Sequence, residues 1–242
     1  YAFYLLSASS VFISGYLFSL RAKNWTRGTS EKRKTTLVSK LKNFFDGILM
    51  RTVLRFRAAG IMHSMIYVGF LGLFAGTITL EIHHLMPPSM KFLQGTTYFV
   101  YSFSLEIVSL IYLAGIGWAL FRRIFGTEFR IKTKTKMDDF LTLGLLGFMG
   151  ISGLTTEAGR IIVEGFPEYE KWSFVGYFIA DILPIENGVL FHRTSWILHV
   201  ISFFVFLISL PQSKLRHIIT SPVNMFLSPK DRPKGAIMYI RW

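Results

Sequence analysis

The sequence predicts an all-α integral membrane protein with five transmembrane helices, its N-terminus outside and its C-terminus in the cytoplasm. The 242 residues are 51% hydrophobic, with a mean hydropathy of +0.43. Five apolar runs reach the length of about 20 residues that a helix needs to cross a bilayer. Lys and Arg concentrate on one side of these runs. Because an isolated strand in lipid cannot satisfy its own backbone, the runs are predicted to be helices.

The five predicted spans are bounded by basic residues or prolines. They cover 2–20, 59–86, 98–121, 138–163 and 191–219. The first run lies so near the start of the sequence that a signal segment stays an alternative for it. Pro87 stops the second span, and Pro211 should kink the fifth.

The distribution of positive charge predicts the orientation. The segment 21–57 holds 11 Lys and Arg, the segment 122–136 holds six, and the part after Pro211 holds six, out of 27 in all. These three segments lie on the same side of a five-span chain, so the positive-inside rule makes that side cytoplasmic. The net charge of +13 is therefore mainly a topology signal, with anionic lipid or a cytoplasmic partner as secondary interpretations, and nucleic acid is not expected.

Beyond the spans, the sequence has few special segments. Residues 37–56 alternate apolar and basic positions at helical spacing, which indicates either an amphipathic helix on the cytoplasmic surface or an ordinary helix leading into a span. The domain division is a membrane domain at 1–222 and a cytoplasmic tail at 223–242. The absence of cysteine excludes disulfides, iron–sulfur clusters and thiolate metal sites within this sequence.

Four of the six histidines are predicted to pair at two depths. His199 and His217 stand 18 residues apart. That is five whole turns, so both should leave one face of the fifth span about 27 Å apart. His63 and His84 lie about 31 Å apart on the second span, within about 60° of one face. Because the two spans are antiparallel, His63 should lie level with His217 and His84 level with His199.

Two imidazoles at each of two levels is the requirement of two haem b groups, whose iron takes axial ligands from opposite sides. Zinc or copper usually needs three or four protein ligands at one level. The five spans are therefore predicted to form a dihaem helical bundle. His63 and His217 are assigned to the inner haem iron, and His84 and His199 to the outer one. His83 and His192 stay open as alternatives, and a histidine in a span can also be a structural hydrogen-bonding residue.

Other charged residues suggest supporting roles. Candidate partners of the haem propionates are Arg55, Arg57, Lys214 and Arg216 at the inner level and Arg193 at the outer level, with plain positive-inside charge as the alternative. Glu106 lies inside the third span and needs a partner or a proton. Its alternatives are proton transfer linked to a quinone and a structural hydrogen bond. Glu157 and Arg160, three residues apart, are expected to pair.

Three segments carry a family resemblance. They are RAAGIMHSMIYVGFLGLFAGT, HRTSWILHVISFFVFLISLPQSKLRHIITSPVNMF and RPKGAI. They resemble the membrane cytochrome b domain of the respiratory nitrate reductase gamma-subunit superfamily. The closest branch is the one joined to or partnered with heterodisulfide-reductase-like iron–sulfur proteins, of the electron-transferring-flavoprotein:menaquinone oxidoreductase type. The resemblance covers the five spans and the tail.

The resemblance also bears on the ligands. The gamma subunits have two haem ligands on the fifth span with the separation of His199 and His217. Their second-span histidines fall here on Tyr67 and Thr77, whereas the iron–sulfur-linked branch matches His63 and His84.

The resemblance implies a dihaem b electron-transfer subunit of a quinone-linked oxidoreductase in a bacterial or archaeal cytoplasmic (inner) membrane. Electrons would pass between a cytoplasmic iron–sulfur partner, the two haems and menaquinone or another quinone. Electron-transferring flavoprotein or another soluble protein is the candidate donor. The iron–sulfur region either is a separate subunit or follows the given sequence. The alternatives are a haem-free membrane anchor and a proton- or ion-conducting subunit.

Overall fold

The computed structural model describes residues 2–27, 36–51, 53–55, 57–126, 136–183 and 186–227. The side chain of Arg55, the RPKGAI segment and the tail beyond 227 lie outside the described residues. The α-helices are α1 (Ala2–Ala22), α2 (Leu37–Ile48), α3 (Arg57–Leu85), α4 (Gly95–Phe125), α5 (Met137–Glu164), α6 (Phe174–Ile182), α7 (Gly188–Ser209) and α8 (His217–Leu227). Every regular element in these ranges is helical.

Five of these helices, α1, α3, α4, α5 and α7, are long and apolar enough to cross a membrane. They confirm the five predicted spans. We call the side at which α1, α4 and α7 end and α3 and α5 begin the basic end, and the other side the opposite end. The basic end carries Arg21, Arg57, Arg122, Arg123, Lys136, Lys214 and Arg216. The assignment of the basic end to the cytoplasm stays a prediction.

The fifth spanning helix is shorter than predicted. Instead of running through 191–219, α7 ends at Ser209, and the chain turns around Pro211 before α8 begins at His217. Proline has no N–H to continue a helix and its ring collides with the preceding turn, so a break is favoured here over a kink. His199 and His217 therefore lie on different helices, and the prediction that they share one helix face is wrong. One helix, α8, also runs across the domain boundary predicted at residue 222.

The spanning helices pack in the order α3, α4, α5, α7 and α1, with α6 against α5 and α2 against α8. The main apolar core lies in the half near the basic end. Tyr112, Ile116 and Leu146 of α4 and α5 meet Phe206 and other residues of α7 there. The Tyr112 hydroxyl donates to the Leu146 carbonyl at 2.9 Å, which ties α4 to α5. The α3 helix reaches this core through long side chains and is not among the closely packed neighbours of α7.

Glycines allow the closest helix contacts. A Cβ added to Gly69 of α3 would lie 2.6 Å from the Tyr112 Cβ and 2.9 Å from its Cα. A Cβ added to Gly159 of α5 would lie 2.8 Å from the His192 Cα on α7. Small residues let helix backbones approach closely in lipid, where packing has to replace the hydrophobic driving force.

A buried ion pair ties the helices together at the opposite end. Glu170, in the short 3₁₀ segment between α5 and α6, is fully buried. Arg160 donates to both of its carboxylate oxygens, at 2.6 and 2.9 Å, and also to Glu164 at 3.1 Å. The Tyr98 hydroxyl donates to Glu170 at 2.7 Å and Ser173 at 3.0 Å. These bonds join α4, α5 and the segment that leads into α6.

This arrangement corrects the expected pairing of Arg160. Its ion pairs are with Glu164 and Glu170, and no ion pair joins it to Glu157 among the described residues. Burial by itself would raise the pKa of the Glu170 carboxyl. The hydrogen bonds from Arg160, Tyr98 and Ser173 outweigh burial and hold that pKa below its ordinary value.

We expect Gly69→Val to weaken the α3–α4 contact by about 1–3 kcal/mol, because the new side chain meets the Tyr112 backbone. Thermal unfolding in detergent measures the effect. The matched control is Gly144→Val, since nothing lies within 4 Å of a Cβ at that position. Equal loss in the two variants would contradict the close-contact explanation.

We expect Glu170→Gln to destabilise the protein by about 3 kcal/mol, because it leaves a partly buried Arg160 without its counter-charge. The control is Glu168→Gln, which removes an exposed ion pair with Lys171 and should cost less than about 1 kcal/mol.

The Glu170 carboxylate should also make stability depend on pH. Because its pKa is lower in the folded than in the unfolded protein, its contribution is full above about pH 4.5 and is lost as the pH falls below that value. Melting curves between pH 7 and pH 3 should show this loss in the wild-type protein and a smaller one in Glu170→Gln. Identical pH profiles would contradict the role given to the ion pair.

Candidate functional site

Two histidine rings face each other at the basic end. The ring centres of His63, in the first turns of α3, and His217, at the start of α8, are 6.0 Å apart with 60° between their planes. The chain reaches this position because Leu215 is buried in the apolar core and anchors the turn just before α8. Ile66 of α3 and Ile218 of α8, neighbours of the two histidines, pack against the same core. The predicted His63–His217 pair is thus brought together, although not by the straight helix that suggested it.

The nitrogens of this pair suit metal binding. The His217 Nδ1 lies 2.6 Å from the Lys214 carbonyl. A carbonyl only accepts, so Nδ1 carries the proton and Nε2 is left with a lone pair. Metal-binding histidines commonly donate their other N–H to a backbone carbonyl in this way. The His63 Nδ1 is buried and has no hydrogen-bond partner.

The spacing of the pair fits one metal held between two rings. Imidazole nitrogens bind metals at about 2 Å, so rings on opposite sides of one metal have centres roughly 6 Å apart. In the part of the chain that the structure describes, no three His, Asp, Glu or Cys side chains gather as a metal site would require. The donor set therefore suits a metal that brings its other ligands with it, as haem iron does.

Contacts at the start of α1 set the alignment of α3 and α7 at the opposite end. Tyr4 donates to the Glu81 carboxylate of α3 at 2.8 Å. The adjacent Phe3 packs against Trp196 of α7, with 5.7 Å between ring centres. Glu81 and Trp196 are therefore at similar depths.

A second contact gives the same alignment. The rings of Phe70 on α3 and Phe206 on α7 are 5.3 Å apart. Counting outward from this contact along both helices brings His84 level with His192. At about 1.5 Å per residue, His199 then lies about 10 Å deeper than His84. The expectation that His84 and His199 share a level is not met, because the turn after α7 shortens the rise that the sequence argument assigned to one straight helix.

Both α7 histidines are held by α5. The His199 Nδ1 lies 3.0 Å from the Ser152 Oγ, and its ring lies beside Gly153. The His192 Nδ1 donates to the Thr156 carbonyl at 3.1 Å. Each contact leaves the other ring nitrogen uncommitted.

The histidines at the end of α3 differ from each other. His84 is exposed and makes no ring contact with His199. The His83 Nδ1 accepts the Leu93 N–H at 3.1 Å, and its ring packs edge-on against Phe92. His83 therefore holds the turn between α3 and α4.

The arginines predicted to meet propionates lie at helix ends. Arg57 and Arg216 are exposed at the basic end, and Arg193 is exposed at the opposite end beside His192. None of the three pairs with a carboxylate of the described residues. Their role as propionate partners stays a prediction.

Glu106 is 2% exposed and lies between α4, α5 and α6. Its Oε1 accepts the Gly176 N–H at 3.0 Å, while its Oε2 has no hydrogen-bond partner in the described chain. Glu157 approaches the same glycine, since a Cβ there would lie 3.0 Å from the Glu157 Oε2. Two carboxyl groups thus converge in one buried place, and a buried carboxyl without a partner is costly unless it holds a proton.

A cavity of about 500 Å³ lies between α3 and α4 near the opposite end. It is lined by Thr79, Phe92, Leu93, Thr96, Thr97, Val100, Tyr101 and Ser104. The Tyr101 hydroxyl donates to the Gly76 carbonyl at 2.8 Å, and Glu157 is an electrostatic neighbour of Tyr101. Sequence reasoning did not find this cavity. Hydroxyl side chains on one face of α4, at 97, 101 and 104, were its only signal.

Two curated proteins are similar to this chain over nearly its whole length. It is 26% identical over 230 residues to the probable iron-sulfur-binding oxidoreductase FadF of Bacillus subtilis, covering 93% of this chain and 32% of that protein. It is 24% identical over 250 residues to the EtfAB:quinone oxidoreductase of Syntrophomonas wolfei, covering 97% of this chain and 34% of that protein. The chain thus spans about a third of the length of these relatives. No family model matches the chain. At this low identity, the two similarities support a relationship to a family of oxidoreductases that includes an EtfAB:quinone oxidoreductase.

Proposed function

We propose that this chain is the dihaem b membrane subunit of a quinone-linked oxidoreductase. It passes electrons between a cytoplasmic iron–sulfur partner and a membrane quinone, menaquinone or another. The observation that carries the proposal is the 6.0 Å separation of the His63 and His217 rings. The names of the two similar proteins, one iron-sulfur-binding and one acting on quinone, support the choice of partners.

At the basic end, His63 and His217 are the proposed axial ligands of the inner haem. A haem b bound there supplies reversible one-electron chemistry. The Lys214 carbonyl fixes the orientation of the His217 ring, and Arg57 and Arg216 are near enough in sequence to meet propionates. The site is close to the protein surface, since His217 is exposed. That exposure suits electron exchange with a partner docked on this end.

The helix α2 supports this docking surface. It begins at a Thr36 cap and packs against α8, where Phe44 meets Phe226 edge-on and Lys40 lies 5.7 Å from the same ring. Its remaining apolar side chains, including Leu41 and Phe45, are exposed. This arrangement favours the interfacial amphipathic helix over a plain extension of α3.

At the opposite end, the second haem is proposed to take His84 and one histidine of α7. The sequence predicts His199, and the alignment of α3 with α7 favours His192, which lies level with His84. Either ring is already oriented by a hydrogen bond from or to α5. That is the second contact an axial histidine usually makes.

The cavity between α3 and α4 is the proposed quinone site. Its volume lies within the range of small-molecule sites, and its lining combines apolar side chains with a few hydroxyls. Val100, on its rim, is exposed on the surface that lipid would cover, so a lipid-soluble substrate has direct entry. Tyr101 lies between the cavity and Glu157, which places an acid near the proposed substrate.

Glu106 and Glu157 are the proposed proton acceptors, because quinol releases protons together with electrons when it is oxidised. The free Oε2 of Glu106 can take a proton without breaking an existing hydrogen bond. From this pair, Ser173, Glu170 and Tyr98 form a hydrogen-bonded chain toward the opposite end.

We expect His217→Ala to remove one haem and leave the other, because it deletes one axial ligand of a single site. A reduced-minus-oxidised spectrum with pyridine haemochrome quantitation measures the loss. The control is His83→Gln, whose ring holds a turn and should leave both haems in place. Loss of both haems or of neither would contradict the pairing. Wild-type protein that binds no haem would favour a haem-free anchor or an ion-conducting subunit.

The second haem is tested by alanine variants of three histidines. We expect His84→Ala and His192→Ala each to remove it, since these residues lie at one level, and His199→Ala to retain it. Potentiometric titration of the two haem signals distinguishes the sites. If His199→Ala removes the haem and His192→Ala does not, the alignment derived from the aromatic contacts does not decide the ligand.

We expect Glu106→Gln to slow quinol oxidation about 100-fold with little change in KM, because a proton acceptor is lost. Val100→Trp should instead raise KM by narrowing the cavity. Steady-state assays with a soluble quinol and a one-electron acceptor separate the two effects, with haem content measured in each variant. Normal turnover in Glu106→Gln would assign that residue a structural hydrogen bond.

A further inference from the structure

A second, smaller cavity lies at the basic end, away from the histidines of the proposed haem site. Its volume is about 190 Å³, and it lies between the end of α1, the 3₁₀ turn that follows, and the chain between α7 and α8. It is lined by Phe18, Arg21, Asn24, Trp25, Pro211, Arg216 and Thr220.

Two arginines converge on this cavity without a counter-charge. Neither Arg21 nor Arg216 forms an ion pair with a carboxylate in the described ranges. Other basic side chains at the same end do have partners, as Arg51 pairs with Asp46 at 2.8 Å and Lys214 pairs with Asp139 at 2.5 Å. Two guanidinium groups beside one cavity repel each other, and a shared anion relieves that repulsion.

The remaining lining residues restrict the chemistry of the anion. Asn24 and Thr220 supply hydrogen-bonding groups beside the arginines. Trp25 packs edge-on against Phe18, with 5.7 Å between ring centres, just where the apolar helix α1 ends. Trp next to Arg at the end of a spanning helix is typical of the level of lipid headgroups. The anion is thus expected to be part of an amphipathic molecule.

We propose that this cavity binds the phosphodiester of an anionic phospholipid, with Arg21 and Arg216 on the phosphate and Trp25 at the glycerol level. The acyl chains then lie on the exposed apolar surface of α1, which includes Tyr16 and Leu20. Guanidinium groups match phosphate oxygens with paired hydrogen bonds, which explains two arginines where a single lysine would satisfy mere charge. This site is independent of the electron-transfer proposal, and it gives Arg216 a different anion from the predicted propionate.

The test uses the purified full chain in detergent, depleted of lipid and titrated with phosphatidylglycerol or phosphatidylcholine, with native mass spectrometry as the readout. We expect the wild-type protein to prefer phosphatidylglycerol. The double variant Arg21→Gln/Arg216→Gln should bind it at least tenfold more weakly. The control Arg51→Gln, at the same end but paired with Asp46, should bind like the wild type. Equal binding of the two lipids, or equal loss in the control, would overturn the proposal.

Two further measurements separate the lipid from other anions. Arg21→Gln alone should weaken phosphatidylglycerol binding and leave haem content unchanged, whereas loss of haem in that variant would make the cavity a propionate site. Inorganic phosphate should not displace the lipid at equal concentration, and displacement would make it a free-phosphate site. Arg21→Lys, which keeps the charge but loses the fork of donors, should bind with intermediate affinity, and binding as weak as that of Arg21→Gln would contradict the role of charge.

Discussion

The contact between His63 and His217 depends on the break that follows α7. A helix that continued through Pro211 would have carried His217 along the α7 axis, away from α3. Instead the chain turns, Leu215 enters the apolar core, and α8 begins with His217 against His63. The same turn presents Arg216 to the end of α1. One proline-bearing turn therefore positions both the proposed inner metal site and the second cavity.

The opposite end is organised by buried polar groups and not by apolar packing alone. In a membrane, an unpaired carboxyl or guanidinium is costly, so charged groups that remain there gather and satisfy one another. Glu170 accepts from Arg160, Tyr98 and Ser173, and this joins three segments at one point. Glu106 keeps one oxygen unpartnered nearby in the fold. A rigid frame around one unsatisfied acid is the arrangement expected where a proton has to be held and released.

The two ends differ in charge, and the difference has a functional meaning under the proposal. The basic end exposes arginines and lysines around the His63–His217 pair, which attracts an acidic partner surface and anionic lipid headgroups. The opposite end has the larger cavity, whose lining is apolar and hydroxylic and whose rim is open to lipid. A water-soluble electron partner and a lipid-soluble one would thus meet opposite ends of one bundle.

The sequence by itself determined the five spans, because the length of an apolar run is a local property that the bilayer thickness selects. It also identified His63 and His217 as partners, since charge and apolar spacing put both near the basic end. Only the tertiary structure decided the alignment of the histidines at the other end. The level of His84 relative to His192 and His199 follows from contacts between distant residues, Phe70 with Phe206 and Tyr4 with Glu81. Arg160 likewise chose Glu170 over the nearby Glu157 because a short segment beyond α5 folds back onto it. Such choices depend on which elements meet in space, and no spacing along one helix encodes them.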